Sequence, residues 1–285
     1  MTVESEANDF RRILVALDAS RGSLAALEEA ASMASRLEAE LRGLFIEDID
    51  LLNLAALPFS REAPTLARVG RMLDTETVER ELRCRAGQAR RAIEQVAQSH
   101  HLRWSFRVAR GRVETEISAA AQEVDLIAVG KGMRPMTLGV KWGQTARALT
   151  TSTARPILFA AAEAATPNTP IATWYDGTET SQHALAAAVR LARRDGRKLI
   201  VFLASTSAVG LAQLELSASK ALPSIASPVS FRQVSPSNAD ELIRALRAER
   251  AGLFVIGAGS VDDKDNRNLG RLIEKCGSSI LLLRH

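Results

Sequence analysis

Two aspartates lie where a ligand could be held, because each directly follows a short, mostly apolar run. Asp18 follows the run that starts at Ile13, and Asp176 follows a similar run that starts at Ile171. Such runs are typical of strands buried on both faces of a parallel sheet, and open α/β sheets bind ligands beyond the carboxyl ends of their strands. The Asp18 carboxylate could accept hydrogen bonds from a ribose or a base, or it could cap the following helix. Both interpretations stay open at this level.

Two glycine-bearing loops share one spacing. Residues 130–133 read GKGM and are followed, after nine residues, by GQT at 143–145. Residues 257–260 read GAGS and are followed, after nine residues, by GR at 270–271. Glycine permits positive φ and a close approach of two backbones, and a helix beginning at the last glycine would offer free N–H groups to an anion. The same spacing also suits a tight turn before a helix, with no ligand.

Other chemical motifs do not fit the chain. Neither loop ends in the Gly-Lys-Ser/Thr of a Walker phosphate loop, and Pro135 and Asp262 stand where a dinucleotide fingerprint needs its third glycine. Arg267 and Asn268 interrupt the calcium-loop pattern that begins at Asp263. The histidines lack a zinc spacing, and no nucleophile elbow is present. We therefore predict no catalytic residue and no metal site, and we expect that the protein is not an enzyme.

Composition and charge argue against two classes of partner. Of the 285 residues 46% are hydrophobic, and 37 basic and 33 acidic residues leave a net charge of +4. The densest basic run, between Arg80 and Arg91, is threaded with apolar residues at helical spacing and contains no aromatic residue, which indicates the solvated face of an amphipathic helix. No apolar run approaches the ~20 residues of a membrane-spanning helix. We expect neither nucleic acid nor a membrane as a partner.

The N-terminal sequence and the cysteines indicate in which cellular compartment the protein is expected. The first ten residues, MTVESEANDF, are polar and acidic, unlike a secretory signal. The only cysteines, Cys84 and Cys276, have neither metal-ligand nor redox spacing. Isolated cysteines of this kind suit the reducing cytoplasm, so we expect a cytoplasmic protein.

The candidate site residues belong to an internal repeat. Residues 12–45 and 170–203 align without a gap when Asp18 is placed on Asp176. The same alignment matches further residues: Ser23 with Ser181, Leu27 with Leu185, Ala30 with Ala188, Ala34 with Ala192 and Leu41 with Leu199. Each copy consists of an apolar run, a turn, an Ala/Leu-rich helix and a second apolar run, which is a βαβ unit. Self-similarity of this kind predicts two copies of one fold.

The later parts of the two copies correspond as well. Residues 125–130 match 252–257 in character, and both copies end on strand-like runs at 156–160 and 280–283. Alternating strands and helices predict an α/β fold. We expect two tandem Rossmann-like domains, each a five-stranded parallel sheet with helices on both faces.

The repeat also predicts the domain limits. We place the first domain at 1–162 and the second, shorter domain at 171–285, joined by a proline-containing linker at 163–170. The first copy carries an insertion at 47–80, whose apolar residues should make it pack as a lid or an extra helix.

With these motifs in place, the whole chain resembles the universal stress protein family in a tandem two-domain form. The resemblance is carried by residues 13–20 (ILVALDAS), the loop at Gly130, and residues 154–158 (ARPIL). It implies the adenine nucleotide alpha hydrolase-like type of Rossmann fold and a role in the stress response. Nucleotide-binding members place Gly, two residues, Gly, nine residues and Gly-Ser or Gly-Thr after the fourth strand. Those glycines and the hydroxyl hold the ATP phosphates, and the first-strand aspartate contacts the nucleoside.

The resemblance thus implies a site for ATP with Mg²⁺ in the first domain. Its candidate residues are Asp18, Gly130, Gly132, Gly143, Gln144 and Thr145. Both copies depart from the family pattern, because Met133 and Ser260 replace the second glycine. Gln144 and Arg271 replace the hydroxyl residue. A side chain at position 133 would stand where a phosphate should approach the backbone.

The charges near the two loops differ. Lys131, Arg134 and Lys141 would supply positive charge to a phosphate in the first loop. The second loop carries aspartates at 262, 263 and 265, which would repel a phosphate. We therefore predict a weakened nucleotide site in the first domain and none in the second, and no cofactor is required by the sequence.

Two functional hypotheses follow. The first, implied by the resemblance, is a non-enzymatic stress-response or regulatory module that acts through partner proteins or self-association. The second is a protein that binds ATP or AMP in the first crevice and hydrolyses ATP slowly. A third, weaker hypothesis is a small-ligand carrier that uses the same crevice, closed by residues 51–59.

The apolar last strands suggest how the copies associate. The runs at 156–159 and 280–283 would each leave an open sheet edge, and such edges pair with other strands. The resemblance implies dimerisation through these strands. We expect the two copies to pair with each other as an intrachain pseudo-dimer, with a homodimer as the alternative.

Overall fold

A computed structural model describes residues 10–57, 75–131, 149–150, 153–162, 168–222, 228–236, 238–260 and 267–284. The strands in these residues are β1 (Arg12–Leu17), β2 (Glu40–Asp48), β3 (Trp104–Gly111), β4 (Leu126–Gly130), β5 (Ile157–Ala160), β6 (Ile171–Tyr175), β7 (Leu199–Ala204), β8 (Val229–Val234), β9 (Leu253–Gly257) and β10 (Ser279–Leu283). The helices are α1 (Arg21–Leu37), α2 (Ile49–Ala55), α3 (Thr75–Ser99), α4 (Val113–Ala121), α5 (Glu179–Asp195), α6 (Ala208–Ala221), α7 (Ala239–Ala248) and α8 (Arg267–Lys275).

The strands form one ten-stranded sheet in the order β3-β2-β1-β4-β5-β10-β9-β6-β7-β8. All neighbours within β1–β5 and within β6–β10 are parallel. The two halves meet where β5 and β10 pair antiparallel, with Leu158 opposite Leu281. The predicted α/β class, with two five-stranded parallel sets, is confirmed. The expected pairing of the last strands inside one chain is also observed.

Helices cover both faces of the sheet. Helices α1, α2, α3, α5 and α6 pack on one face, and α4, α7 and α8 pack on the other. Strands β4, β6, β7 and β9 are buried along their whole length, whereas the outer strands β3 and β8 are largely half-buried or exposed. The continuous apolar runs are therefore the strands buried on both faces, as the hydrophobic effect requires.

The repeated turn chemistry sets the start of equivalent helices. Ser20 precedes α1, and its hydroxyl accepts from Ser23 N at 3.2 Å. Thr178 precedes α5, and its hydroxyl accepts from Ser181 N at 3.3 Å. Both are N-caps, which satisfy an N–H group that the first turn leaves without a partner. The two helices therefore begin at the same register after β1 and β6.

The described part of the insertion contains helix α2 and the start of α3. Leu51, Leu52 and Ala55 of α2 are buried, so this segment packs as the expected extra helix. Helix α3 buries one apolar stripe: Val78, Leu82, Ala86, Ala89, Ile93 and Ala97. Its charged face forms ion pairs one turn apart, as between Arg80 and Glu76 at 2.8 Å, so the amphipathic interpretation of the basic run is confirmed. Among the described residues, no helix combines the length and apolarity needed to cross a bilayer.

Candidate functional site

Asp18 and Gly130 lie at the same edge of the sheet. Asp18 directly follows β1 and Gly130 ends β4, and these strands are parallel neighbours. The first turn of α1 packs closely against the end of β4. The approach is so close that a Cβ added at Gly130 would lie 2.7 Å from Ser23 N and closer still to the carbonyl group of Gly22. The structure therefore brings two of the predicted site residues together at one edge of the sheet in the first half.

The Asp18 carboxylate is only partly engaged by the protein. Its Oδ1 accepts from Ser20 N at 2.9 Å, and its own N–H donates to Ser23 Oγ at 3.3 Å. Ala19 has φ of 60°, so the chain turns sharply between the strand and the helix cap. No described residue donates a hydrogen bond to Asp18 Oδ2. This oxygen is therefore placed to accept a hydrogen bond from a bound hydroxyl or amine.

The equivalent Asp176 is fully engaged. Its Oδ1 accepts from Thr178 N at 3.0 Å and from Thr178 Oγ1 at 2.6 Å. Its Oδ2 accepts from Trp174 Nε1 at 3.2 Å. Burial raises the pKa of Asp176, but the hydrogen bonds from Thr178, Ser181 and Trp174 outweigh burial and leave that pKa below its ordinary value. In the second half the aspartate acts as a turn-stabilising group.

Helix α6 also packs against this turn. The buried Tyr175, at the end of β6, shares a hydrogen bond of 2.8 Å between its hydroxyl and Ser217 Oγ of α6. A Cβ added at Gly177 would lie 3.1 Å from the side chain of Leu214, also on α6. Helix α6 therefore packs against the end of β6 and the turn that follows it.

This difference predicts unequal costs of removing the two aspartates. At pH 7, Asp176→Ala should lower the free energy of unfolding by about 2 kcal/mol, because the hydrogen bonds from Thr178 and from the Trp174 indole are lost together. Asp18→Ala should cost about half as much, since it removes the hydrogen bond from Ser20 N. Urea unfolding of both variants gives the comparison. Equal losses of unfolding free energy in the two variants at pH 7 would contradict the different engagement of the two aspartates.

The loss caused by Asp176→Ala should shrink as the pH falls below 3.8. A carboxylate whose pKa is lowered in the folded state contributes stability only while it is ionised.

The glycines at the ends of β4 and β9 have a packing role. Gly257 is equivalent to Gly130, and a Cβ there would lie 2.6 Å from Thr180 O in the first turn of α5. Separations under about 3.0 Å are not seen for real Cβ atoms. Both glycines thus let a helix start close to a strand end, whether or not a phosphate binds.

Lys131 does not serve the role that its sequence suggests. Its Nζ donates to the carbonyl oxygens of Cys276 at 3.0 Å and Ser278 at 2.6 Å, both in the second half. Burial lowers its pKa to about 8, although Cys276 and Glu29 partly offset this effect. The prediction that Lys131 supplies charge to a phosphate is wrong, because its ammonium holds the two halves together.

The rest of the predicted loop lies outside the described residues. This applies to the other candidate ligand residues, Gly132, Gly143, Gln144 and Thr145, and also to Met133. Their roles stay predictions.

A second carboxylate ends the neighbouring strand β2. Asp48 is 8% exposed, and its Oδ1 accepts from Asp50 N at 3.0 Å at the start of α2. Burial raises its pKa, an effect that the backbone hydrogen bonds from Asp50 and Leu51 reduce. Asp48 therefore caps α2 beside the crevice.

Sequence reasoning missed one polar residue of functional interest. Glu29 lies on α1 between the buried positions Ala26, Ala30 and Met33, and it bonds to Ser279 of the second half. Burial raises its pKa, while the Ser279 hydroxyl and the charges of Lys131, Arg197 and Arg36 oppose that rise. The available signal was a break in the repeat, since alanine occupies the equivalent position 187.

Fold and site geometry together define a tandem, doubly wound α/β protein whose strand order reverses between β1 and β4. The model of the Universal stress protein family matches residues 9–160. The chain belongs to the universal stress protein family. No curated protein matches it in sequence.

Solved structures share the tandem fold over nearly the whole chain. A universal stress protein from Archaeoglobus fulgidus DSM 4304 is 14% identical with a TM-score of 0.70, and the match covers 96% of this chain and 98% of that one. A protein of unknown function from Pseudomonas aeruginosa PAO1 is 15% identical with a TM-score of 0.59, and the match covers 96% and 92% of the two chains. At these identities the likeness concerns the fold.

Proposed function

We propose that this universal stress protein is a non-enzymatic regulatory module in which the second half serves as a built-in partner for the first. This proposal rests on one observation: polar groups near the two expected ligand positions already form hydrogen bonds within the protein. Asp176 is engaged by its own turn, and Lys131 by carbonyls of the other half. Groups that could contact a nucleoside or a phosphate instead stabilise the fold. The proposal includes action through partner proteins and a cytoplasmic location.

The domain limits belong to the same proposal. We assign 1–162 and 171–285 as the two domains, with 163–170 as the linker. Strands β5 and β10 lie inside the continuous sheet, each between two neighbours. Further self-association through these strands would therefore require the intrachain pairing to open.

A second function is favoured by one specific observation. Asp18 Oδ2 has no partner among the described residues, whereas both oxygens of Asp176 do. A free carboxylate oxygen at a strand end is a suitable acceptor for a ribose hydroxyl. We infer that any adenine nucleotide binds in the first crevice, with Asp18 on the nucleoside. Mg²⁺ would serve there to neutralise the phosphates of ATP, since Lys131 is engaged elsewhere.

A melting experiment separates these functions. ATP, ADP, AMP and cyclic AMP, each with and without Mg²⁺, are added to the full chain and the melting temperature is recorded. Ligand at ~100 times its Kd should stabilise the fold by ~2.7 kcal/mol. If the first crevice binds a nucleotide, Asp18→Asn should abolish the shift and Asp176→Asn should leave it intact.

The two aspartate variants are matched controls, since each removes one charge from an equivalent turn. A flat response to every nucleotide would exclude nucleotide binding and leave the regulatory module. A shift lost in Asp176→Asn but kept in Asp18→Asn would place the ligand in the wrong half and refute the assignment. ATP turnover by the full chain would overturn the non-enzymatic proposal.

A further inference from the structure

The contact between β5 and β10, with the residues that flank it, is here named the seam. Its backbone is nearly symmetric, because Leu158 and Leu281 face each other at its centre. The flanking bonds are equivalent too: Lys131 N donates to Ala160 O at 2.9 Å, and Ala258 N donates to Leu283 O at 2.8 Å. Backbone pairing and apolar contacts at the seam would therefore allow two first halves, or two second halves, to pair equally well.

The polar side chains at the seam are not symmetric. Ser279 Oγ accepts from Ala161 N at 3.0 Å and donates to the Glu29 carboxylate. Ser279 is fully buried. The position equivalent to Ser279 is Pro156, and the position equivalent to Glu29 is Ala187. In this group of hydrogen bonds the first half thus contributes Glu29 and Ala161 N, and the second half contributes Ser279.

A charged contact on the helices is asymmetric in the same way. Arg36 of α1 forms an ion pair with Asp195 at the end of α5. Asp195 is 7% exposed at its side chain. In the aligned repeat, position 195 corresponds to Leu37. An Arg36 side chain that met a second first half would therefore find leucine where it now finds a carboxylate.

Pairing of two first halves would leave several polar groups without partners. Glu29 would face Pro156, which has no hydroxyl to donate. Ala161 N would lose its acceptor, and Arg36 would lose its carboxylate. Buried polar groups without partners are costly, so such mismatches act against the wrong pairing. In a pair of second halves, the buried Ser279 hydroxyl would face Ala187 and lose its acceptor.

We infer that the first-half surface of the seam is built to bind the second half and to reject a second copy of itself. The partner that it fits presents a hydroxyl opposite Glu29, a carboxylate opposite Arg36 and two carbonyls opposite Lys131. The specificity of the first half for the second half therefore comes from side chains and not from the backbone pairing of the strands.

The test uses the whole chain, cut only after it has folded. A protease site placed within residues 163–167 is cleaved, and the cleaved protein is mixed with ¹⁵N-labelled cleaved protein. Urea is raised until labelled and unlabelled halves exchange, then removed, and native mass spectrometry counts each kind of pair. Pairs of one first half with one second half should be favoured over pairs of two first halves. Their ratio should exceed the ratio from random pairing by at least about tenfold, equivalent to about 1.4 kcal/mol.

Variants show whether the named residues carry the specificity. Glu29→Ala should reduce the excess of unlike pairs severalfold, and Ser279→Ala should do the same from the other side of the hydrogen bond. Glu28→Ala is the matched control, since its side chain is 54% exposed on the same helix, and it should leave the ratio unchanged. A statistical mixture, separated unpaired halves, or equal ratios in the Glu28 and Glu29 variants would each overturn the inference.

Discussion

Gly130→Ala is expected to destabilise the protein by roughly 3 kcal/mol, at the upper end of the cost of overpacking. The three atoms nearest to the added Cβ would all be backbone atoms: Ser23 N at 2.7 Å, and the carbonyl carbon and oxygen of Gly22 closer still. Backbone in the first turn of α1 cannot move away like a flexible side chain, because that turn is fixed by the Ser20 cap and by packing on β4. Relief would require the whole helix to shift.

Urea unfolding provides the measurement, and other glycines provide the controls. Gly257→Ala should be damaging in the second half by the same mechanism, with its closest contact at 2.6 Å from Thr180 O. Gly270→Ala should be neutral or should stabilise α8 by up to ~1 kcal/mol, because nothing lies within 4 Å and alanine favours helix. Should Gly130→Ala unfold like wild type, the close helix–strand contact would be disproved.

Because of Lys131, the free energy of unfolding should rise with pH between about pH 8 and 10.5. Burial lowers its folded pKa to about 8 from an ordinary 10.5. Between these two pH values the unfolded chain holds a proton that the folded chain has released. Stability increases with pH wherever the unfolded state binds more protons. The gain relative to Lys131→Met should therefore amount to roughly 2–3 kcal/mol between pH 8 and 10.5.

The measurement is the free energy of unfolding at several pH values for wild type and Lys131→Met. Comparing the two removes the contributions of titrating groups that do not interact with Lys131. Lys220→Met, at an exposed position on α6, controls for the loss of one positive charge. A difference between wild type and Lys131→Met that stays constant over this range would show that the ammonium is not buried at the seam.

Much of the fold could be predicted because its signals are local. The apolar run from Ile13 to Leu17 lies within β1, and the helix predicted after Asp18 is α1, although Ser20 and not Asp18 is its N-cap. Strand burial and helix capping depend on residues close in the chain, and the repeat displays the same signals twice. The expected ligand position between β1 and β4 follows from the strand order, since ligand sites form at the carboxyl ends of parallel strands.

The different states of Asp18 and Asp176 could not be predicted from their alignment. Both residues directly follow equivalent strands, but Trp174 supplies an indole N–H where the first half has Ala16. Whether a neighbouring donor turns toward the carboxylate depends on side-chain packing and not on spacing. The aligned aspartates are therefore alike in position and different in the number of hydrogen bonds that they accept.

The sequence by itself determined the α/β class, the duplication, and the strand ends where a ligand could be held. Only the tertiary structure decided what the polar groups do. Lys131 and Cys276 are 145 positions apart, and Glu29 and Ser279 are 250 apart. These partners meet because β5 and β10 pair across the two halves, and no local pattern records that encounter. Burial then fixes their bonds, because a polar group removed from water must find a partner inside the protein.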